Sequence, residues 1–102
     1  RTKTGEKMKT PILSQGCKNF GEYLRDMRKI AGITQMQIAK ELGFTSAQFI
    51  SNYERGLCYP SENNLKQISD IINLDFEKLV ANFISSKAMD MKERLGLMEV
   101  SA

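Results

Sequence analysis

Apolar residues return along this chain every three or four positions, in five separate stretches. In the first, Phe20, Tyr23, Leu24, Met27 and Ala31 share one helical face and predict a helix from about Asn19 to Ala31. Asn19 suits its N-cap and Gly32 a left-handed stop. Glu22, Arg25, Asp26, Arg28 and Lys29 fall mostly on the opposite side. The second stretch runs from Gln35 to Leu42, with Ile38, Ala39 and Leu42 inward, Thr34 as cap and Gly43 as terminator. Ala39 is small enough to let two helices cross closely, and it is also an ordinary helix former. The third opens at Thr45 or Ser46, either able to cap it, and reaches Glu54 or Arg55 before Gly56. Ile50 and Tyr53 point inward; Gln48, Ser51, Asn52 and Arg55 form a continuous polar stripe. A loop over 56–60 closes at Pro60. The fourth helix is capped by Ser61, buries Leu65, Ile68, Ile71 and Ile72, and extends to about Asn73. The fifth is capped by Asp75, begins with Phe76, Leu79, Val80 and Phe83, and runs unbroken to about Leu95. Gly96 then suits a left-handed end with Leu97 as an apolar contact behind it. No stretch alternates with period two, so the fold class is all-α.

Length and composition narrow the function. The chain has 102 residues, room for one small domain, and 41% hydrophobic residues, too many for a disordered chain. No apolar run is long enough to span a membrane, and no secretory signal opens the chain. Cys17 and Cys58 can pair or stand as free thiols. Disulfides mark oxidising compartments and nothing points to secretion, so reduced thiols are expected. With no His and two lone cysteines, no metal site and no cofactor are expected. A Gly-rich phosphate loop and a nucleophile–base pair are both missing, which argues against an enzyme.

Net charge is +3, unevenly spread. Residues 1–17 carry four bases and one acid, residues 18–59 six bases and four acids, and residues 60–102 five bases and seven acids. The basic part coincides with the second and third helices and what precedes them. That asymmetry fits a polyanion on one side of the molecule, and it also fits an incidental surface imbalance. Residues 1–16 are polar and broken by Gly5, Pro11 and Gly16, and predict a flexible basic arm ending near residue 17. The chain opens on Arg1, and Met8 is a natural start, which would leave residues 1–7 outside the native sequence.

Two short helices joined by a tight turn, the second with a polar outer stripe, are a means of laying a helix in the DNA major groove. The pattern Thr34-Gln35-x-x-Ile38-Ala39-x-x-Leu42-Gly43, then Ile50-Ser51-x-x-Glu54-Arg55-Gly56, then Pro60-Ser61, resembles the helix-turn-helix domain of lambda-repressor/Cro-type regulators. The resemblance covers roughly residues 19–83. It implies a five-helix domain over 18–83, with 84–102 as a helical extension. It also implies a DNA-binding transcription regulator of bacterial or phage type, cytoplasmic, with double-stranded DNA as partner. Gln35 and the amides at the start of the second helix would meet a phosphate. Gln48 can bond an adenine edge, Asn52 has the same chemistry with shorter reach, Ser51 suits base or phosphate, and Ala47 can pack on a thymine methyl. Arg55 suits a phosphate, or guanine if the helix tilts. Lys18, Arg25, Lys40 and Ser46 are further candidate phosphate contacts.

One departure concerns register. Between Gly43 and Ile50 the chain has one residue more than the common pattern. Either the turn is longer or the third helix starts early. Counting back from Ile50 keeps Gln48 at the main reading position; counting forward from Gly43 places Ala47 there. Ile50 is the core anchor, which favours Gln48. Phe49, unusual on a face turned to DNA, is expected to pack on Tyr53 or Phe44 rather than touch a thymine methyl.

On the fifth helix, Ile84, Ala88, Met91 and Leu95 repeat at coiled-coil spacing. They predict a homodimer interface, with folding back on the domain as the alternative. Met89, Met91 and Met98 would make an adaptable surface for another protein. The expected function is a repressor acting as a dimer on two half-sites about 34 Å apart or a multiple of it. Its rivals are the antitoxin of a toxin–antitoxin pair and a protein-interaction module without DNA binding.

Overall fold

A computed structural model describes residues 14–97. Five helices follow one another: α1 (Gln15–Ala31), α2 (Gln35–Glu41), α3 (Gln48–Glu54), α4 (Glu62–Ile71) and α5 (Phe76–Arg94). No strand occurs among the described residues. The long α1 and α5 pack on each other, and the short α2, α3 and α4 complete the bundle. The core gathers Phe20, Leu24, Ile38, Ala39, Ile50, Tyr53, Leu65, Ile68, Ile72 and Leu79. These are the positions that helical periodicity marks as inward. Two expected members differ: Ala31 is exposed at the end of α1, and Phe76 stays partly exposed beneath the Lys66 ammonium, 5.1 Å from its ring centroid.

The caps of α2, α4 and α5 are those the sequence predicts. Thr34 accepts from the Gln37 N–H, Ser61 from the Asn64 N–H and Asp75 from the Glu77 N–H. Each satisfies an amide that the first turn otherwise leaves without a partner. Gly32, with φ 74°, ends α1 as expected, and Gly96, with φ 70°, ends α5. Leu97 does not supply the apolar contact expected behind Gly96; it is exposed.

The start of α1 is a correction. The helix begins at Gln15, four residues before Asn19, and its N-cap position, Ser14, makes no side-chain cap bond. Residues 15–17, expected in the arm, are helical; residues 1–13 lie outside the described region. The capping comes from α5. Asp90 Oδ1 accepts from the Gly16 N–H at 2.7 Å, and Glu93 Oε1 accepts from the Gln15 N–H at 3.4 Å. Two carboxylates thus stand at the positive end of the α1 dipole. Asp90 is buried, and its Oδ2 accepts from the Tyr59 hydroxyl. Gly16, which in sequence looks like a breaker, permits this docking: a Cβ there would overlap the Ser86 carbonyl and the Asp90 carboxylate.

Close crossing recurs between α1 and α3. A Cβ on Gly21 would overlap the carbonyl oxygens of Tyr53 and Glu54. Ala39 is fully buried at the α2 contact. In an open helix, Gly→Ala stabilises by about 1 kcal/mol through propensity. At Gly21 the new methyl meets backbone that cannot swing away, and overpacking of this kind costs about 1–3 kcal/mol. Gly21→Ala is therefore expected to lower stability in urea titration, reversing the sign expected from propensity.

Candidate nucleic-acid interface

The α2–α3 unit begins with a reciprocal cap: the Thr34 N–H donates to Gln37 Oε1 at 2.7 Å, and the Gln37 N–H donates to Thr34 Oγ1 at 3.0 Å. Gly43, with φ 84°, turns the chain after α2, and the Phe44 N–H closes on the Ala39 carbonyl at 2.9 Å. The additional residue lies in the turn, because α3 starts only at Gln48. Neither Thr45 nor Ser46 occupies the N-cap; Ala47 does, without a side-chain bond. Ser46 Oγ instead accepts from the Gln48 N–H at 3.2 Å, leaving its hydroxyl proton free to donate outward. Ile50 is buried, as expected of the core anchor. Phe49 is half-exposed and rests on Phe44, with ring centroids 4.8 Å apart.

On α3, Ile50, Tyr53 and Glu54 are buried while Gln48 and Arg55 are exposed and Ser51 and Asn52 half-buried. The outer side chains are joined. Gln48 Nε2 and Arg55 Nη2 both donate to Asn52 Oδ1, each at 2.9 Å. That leaves Gln48 Oε1 and the Asn52 amide N–H groups directed to whatever meets the helix. A row of fixed acceptors and donors on a convex helix is what base-edge recognition requires. Ala47 stands beside it at the start of the helix.

Glu54 holds the unit together from beneath. Its carboxylate receives Arg28 Nε at 2.6 Å, Arg28 Nη2 at 3.0 Å and Gln35 Nε2 at 2.9 Å. Arg28 Nη1 also donates to the Ile33 carbonyl at 2.9 Å. The side chains of Arg28 and Glu54 are only 12% and 4% exposed. One ion pair therefore joins α1, the loop before α2, α2 and α3. Gln35 keeps a second N–H beyond the one bonded to Glu54. The sequence reading placed Arg28 among the outward charges and missed this pair. The available signal was Glu54 itself, four residues after Ile50 on the buried face.

The candidate phosphate contacts divide in space. A Cβ on Gly56 would come within 2.6 Å of Lys18 Cα, so Lys18 stands beside the end of α3 near Arg55. Arg25, exposed, belongs to the α1 row Lys18, Gly21, Arg25, Arg28, whose Gly21 and Arg28 touch α3. Lys40 stands apart, in an open groove with Glu41 and Asp70 between α2 and α4. Cys17 and Cys58 are free thiols, the first buried and the second exposed. Burial raises Cys17 to about 11, reinforced by Asp90 and Cys58. Burial also raises Cys58, so neither is a ready thiolate at neutral pH. Among the described residues no three metal-ligating side chains cluster, and no helix is long and apolar enough to cross a membrane.

A short helix locked across a second one, which carries an exposed hydrogen-bonding row, defines a helix-turn-helix DNA-binding domain. The chain belongs to the lambda-repressor/Cro-like helix-turn-helix family: a helix-turn-helix family model matches residues 24–79, more than half of it. It is also similar to the "ImmF control region 10 kDa protein" of Bacillus phage phi105, 37% identical over 62 residues, which cover 61% of this chain and 68% of that protein. The family is one of DNA-binding regulators.

Removing one partner of a buried ion pair strands the other and costs about 3–5 kcal/mol, whereas an apolar pair of similar volume is often neutral. Arg28→Met alone is expected to lose about that much in denaturant titration. Adding Glu54→Leu is expected to recover most of it, giving a strongly non-additive double-mutant cycle.

Proposed function

We propose that this chain is a transcriptional repressor that occupies a DNA operator as a homodimer, with α3 of each subunit in the major groove. The observation that carries this reading is the joined row Gln48–Asn52–Arg55, exposed above buried Ile50 and Tyr53. Gln48, Asn52, Ser51 and Ala47 read bases. Gln35, Ser46, Lys18, Arg25 and Arg55 meet phosphates on either side of the groove, with Lys40 as an outlying contact. The similarity to a phage control-region protein favours a role in a control circuit. Occupying the operator blocks polymerase access, and the protein works in the cytoplasm at the nucleoid.

One recognition helix covers only a few base pairs, so two copies are needed for a useful site. Ile84, Ala88, Met91 and Leu95 are exposed on the outer side of α5 and serve as the pairing surface. Met98, a further candidate for that surface, lies outside the described residues.

Selection of bound fragments from a random duplex pool is expected to return a two-fold symmetric site. On that site, Gln48→Ala is expected to cost discrimination at one base pair of each half, about 1–3 kcal/mol, measured against all four substitutions. Arg25→Ala is expected to weaken every sequence alike and to reduce the log–log salt slope by about 1. Equal, sequence-independent losses from both substitutions would remove Gln48 from base readout.

A further inference from the structure

Among the described residues nothing covers the outer side of α5. Leu79, Ser86 and Asp90 are buried against the body of the domain. On the opposite side Ile84, Ala88, Met91 and Leu95 lie in one line, and the three larger residues are 60%, 53% and 63% exposed. Half-buried Val80 continues the line to a recess of about 260 Å³ between α4 and α5, walled by Leu65, Phe76, Val80, Phe83 and Ile84, with Glu62 at its α4 side. A helix apolar on both faces is stable in water only when both are covered. A contiguous apolar strip of this kind marks an interaction site.

Charge distinguishes the occupants. Residues 84–97 contain three bases and two acids. Both acids lie on the side turned to α1, where Asp90, buried, and Glu93, exposed, accept from its first amides. The bases remain exposed: by helical phase Lys87 and Arg94 flank the apolar line on one side and Lys92 on the other. Lys87 also lies 4.8 Å from the Tyr59 ring centroid and 5.5 Å from that of Phe83, at the border between the apolar line and the domain body. Residues 60–102 as a whole count as acidic in sequence, yet within 84–97 the bases outnumber the acids and flank the apolar line. A second copy brings these bases against their own equivalents. An amphipathic helix with an apolar seam and acidic flanks matches both the seam and the charge.

We propose that the outer face of α5 is a docking surface for an acidic amphipathic helix of a partner protein, and that self-pairing is a weaker competitor for the same face. The dimer proposed above shares this surface and is therefore displaced when the partner helix binds. The two interactions respond oppositely to salt. Screening weakens the attraction to an acidic helix and relieves the repulsion between two copies.

The test uses the full chain and two synthetic helical peptides with the same leucine seam, one flanked by Glu and one by Lys. The Glu peptide is expected to bind at least about tenfold more tightly by fluorescence anisotropy, and to weaken with salt. Backbone amide shifts are expected along 80–95 and are lost in Ile84→Asp. The Lys92→Glu/Arg94→Glu variant, with an unchanged circular dichroism spectrum, is expected to prefer the Lys peptide. Sedimentation is expected to show self-association strengthening with salt and yielding to the Glu peptide. Equal affinity for both peptides, no binding, or shifts confined to α2 and α3 would overturn the proposal. So would a dimer that the Glu peptide cannot displace, or α5 shifts produced by random duplex DNA and not by peptide. Operator affinity, measured separately, reports on the DNA-binding reading and can fail without this one.

Discussion

The Glu54 carboxylate is the constraint on which the helix-turn-helix half of the molecule depends. An ionised group with 4% of its side chain exposed has lost its water and must find its hydrogen bonds inside the protein. Arg28 supplies two from α1 and Gln35 one from α2. The carboxylate itself rides on α3, directly beneath the polar row. Satisfying one charge therefore sets three helices relative to one another. The arrangement is directional in a way apolar packing is not: Leu24 or Ile38 can accommodate small slides, whereas a bidentate guanidinium–carboxylate pair cannot. A recognition surface whose donors must meet base edges within a fraction of an ångström needs that kind of support.

Much of this was legible in the sequence, because much of it is local. The caps at Thr34, Ser61 and Asp75, the stop at Gly32 and the inward phases of Ile38, Ile50, Leu65, Ile68 and Leu79 all depend on neighbours within four residues. The outward row on α3 was legible for the same reason. What could not be read depends on distant partners. The first turn of α1 has no local side-chain cap and relies on Asp90, 74 residues away, whereas a rule based on neighbouring residues points to Asn19. Gly16 resembles a breaker until α5 is seen crossing it. Arg28 resembles one more surface base until Glu54 is placed opposite. The acidic count over residues 60–102 likewise hides the surplus of bases within 84–97. Counting charges along the chain cannot tell which acids are spent on another helix.

Those distant contacts also alter the view of the C-terminal segment. The family resemblance suggests a domain that ends near Phe83, with an appendage beyond. In the structure α5 runs through that position without interruption, and its second half closes the start of α1 with Ser86, Asp90 and Tyr59. The same segment thus has an inner face that belongs to the domain and an outer face that no described residue covers. On the inner face, Asp90 is bonded through the Tyr59 hydroxyl to the loop that follows α3.

The turn between α2 and α3 has a further implication. Its additional residue is absorbed before Gln48, so α3 keeps its phase relative to Ile50 and Glu54 but not relative to Gly43. Anyone transplanting binding preference between this chain and a shorter-turn homologue should align the graft on the buried anchor. An exchange numbered from the preceding glycine would rotate each imported side chain by about one hundred degrees, turning the borrowed alphabet away from the duplex.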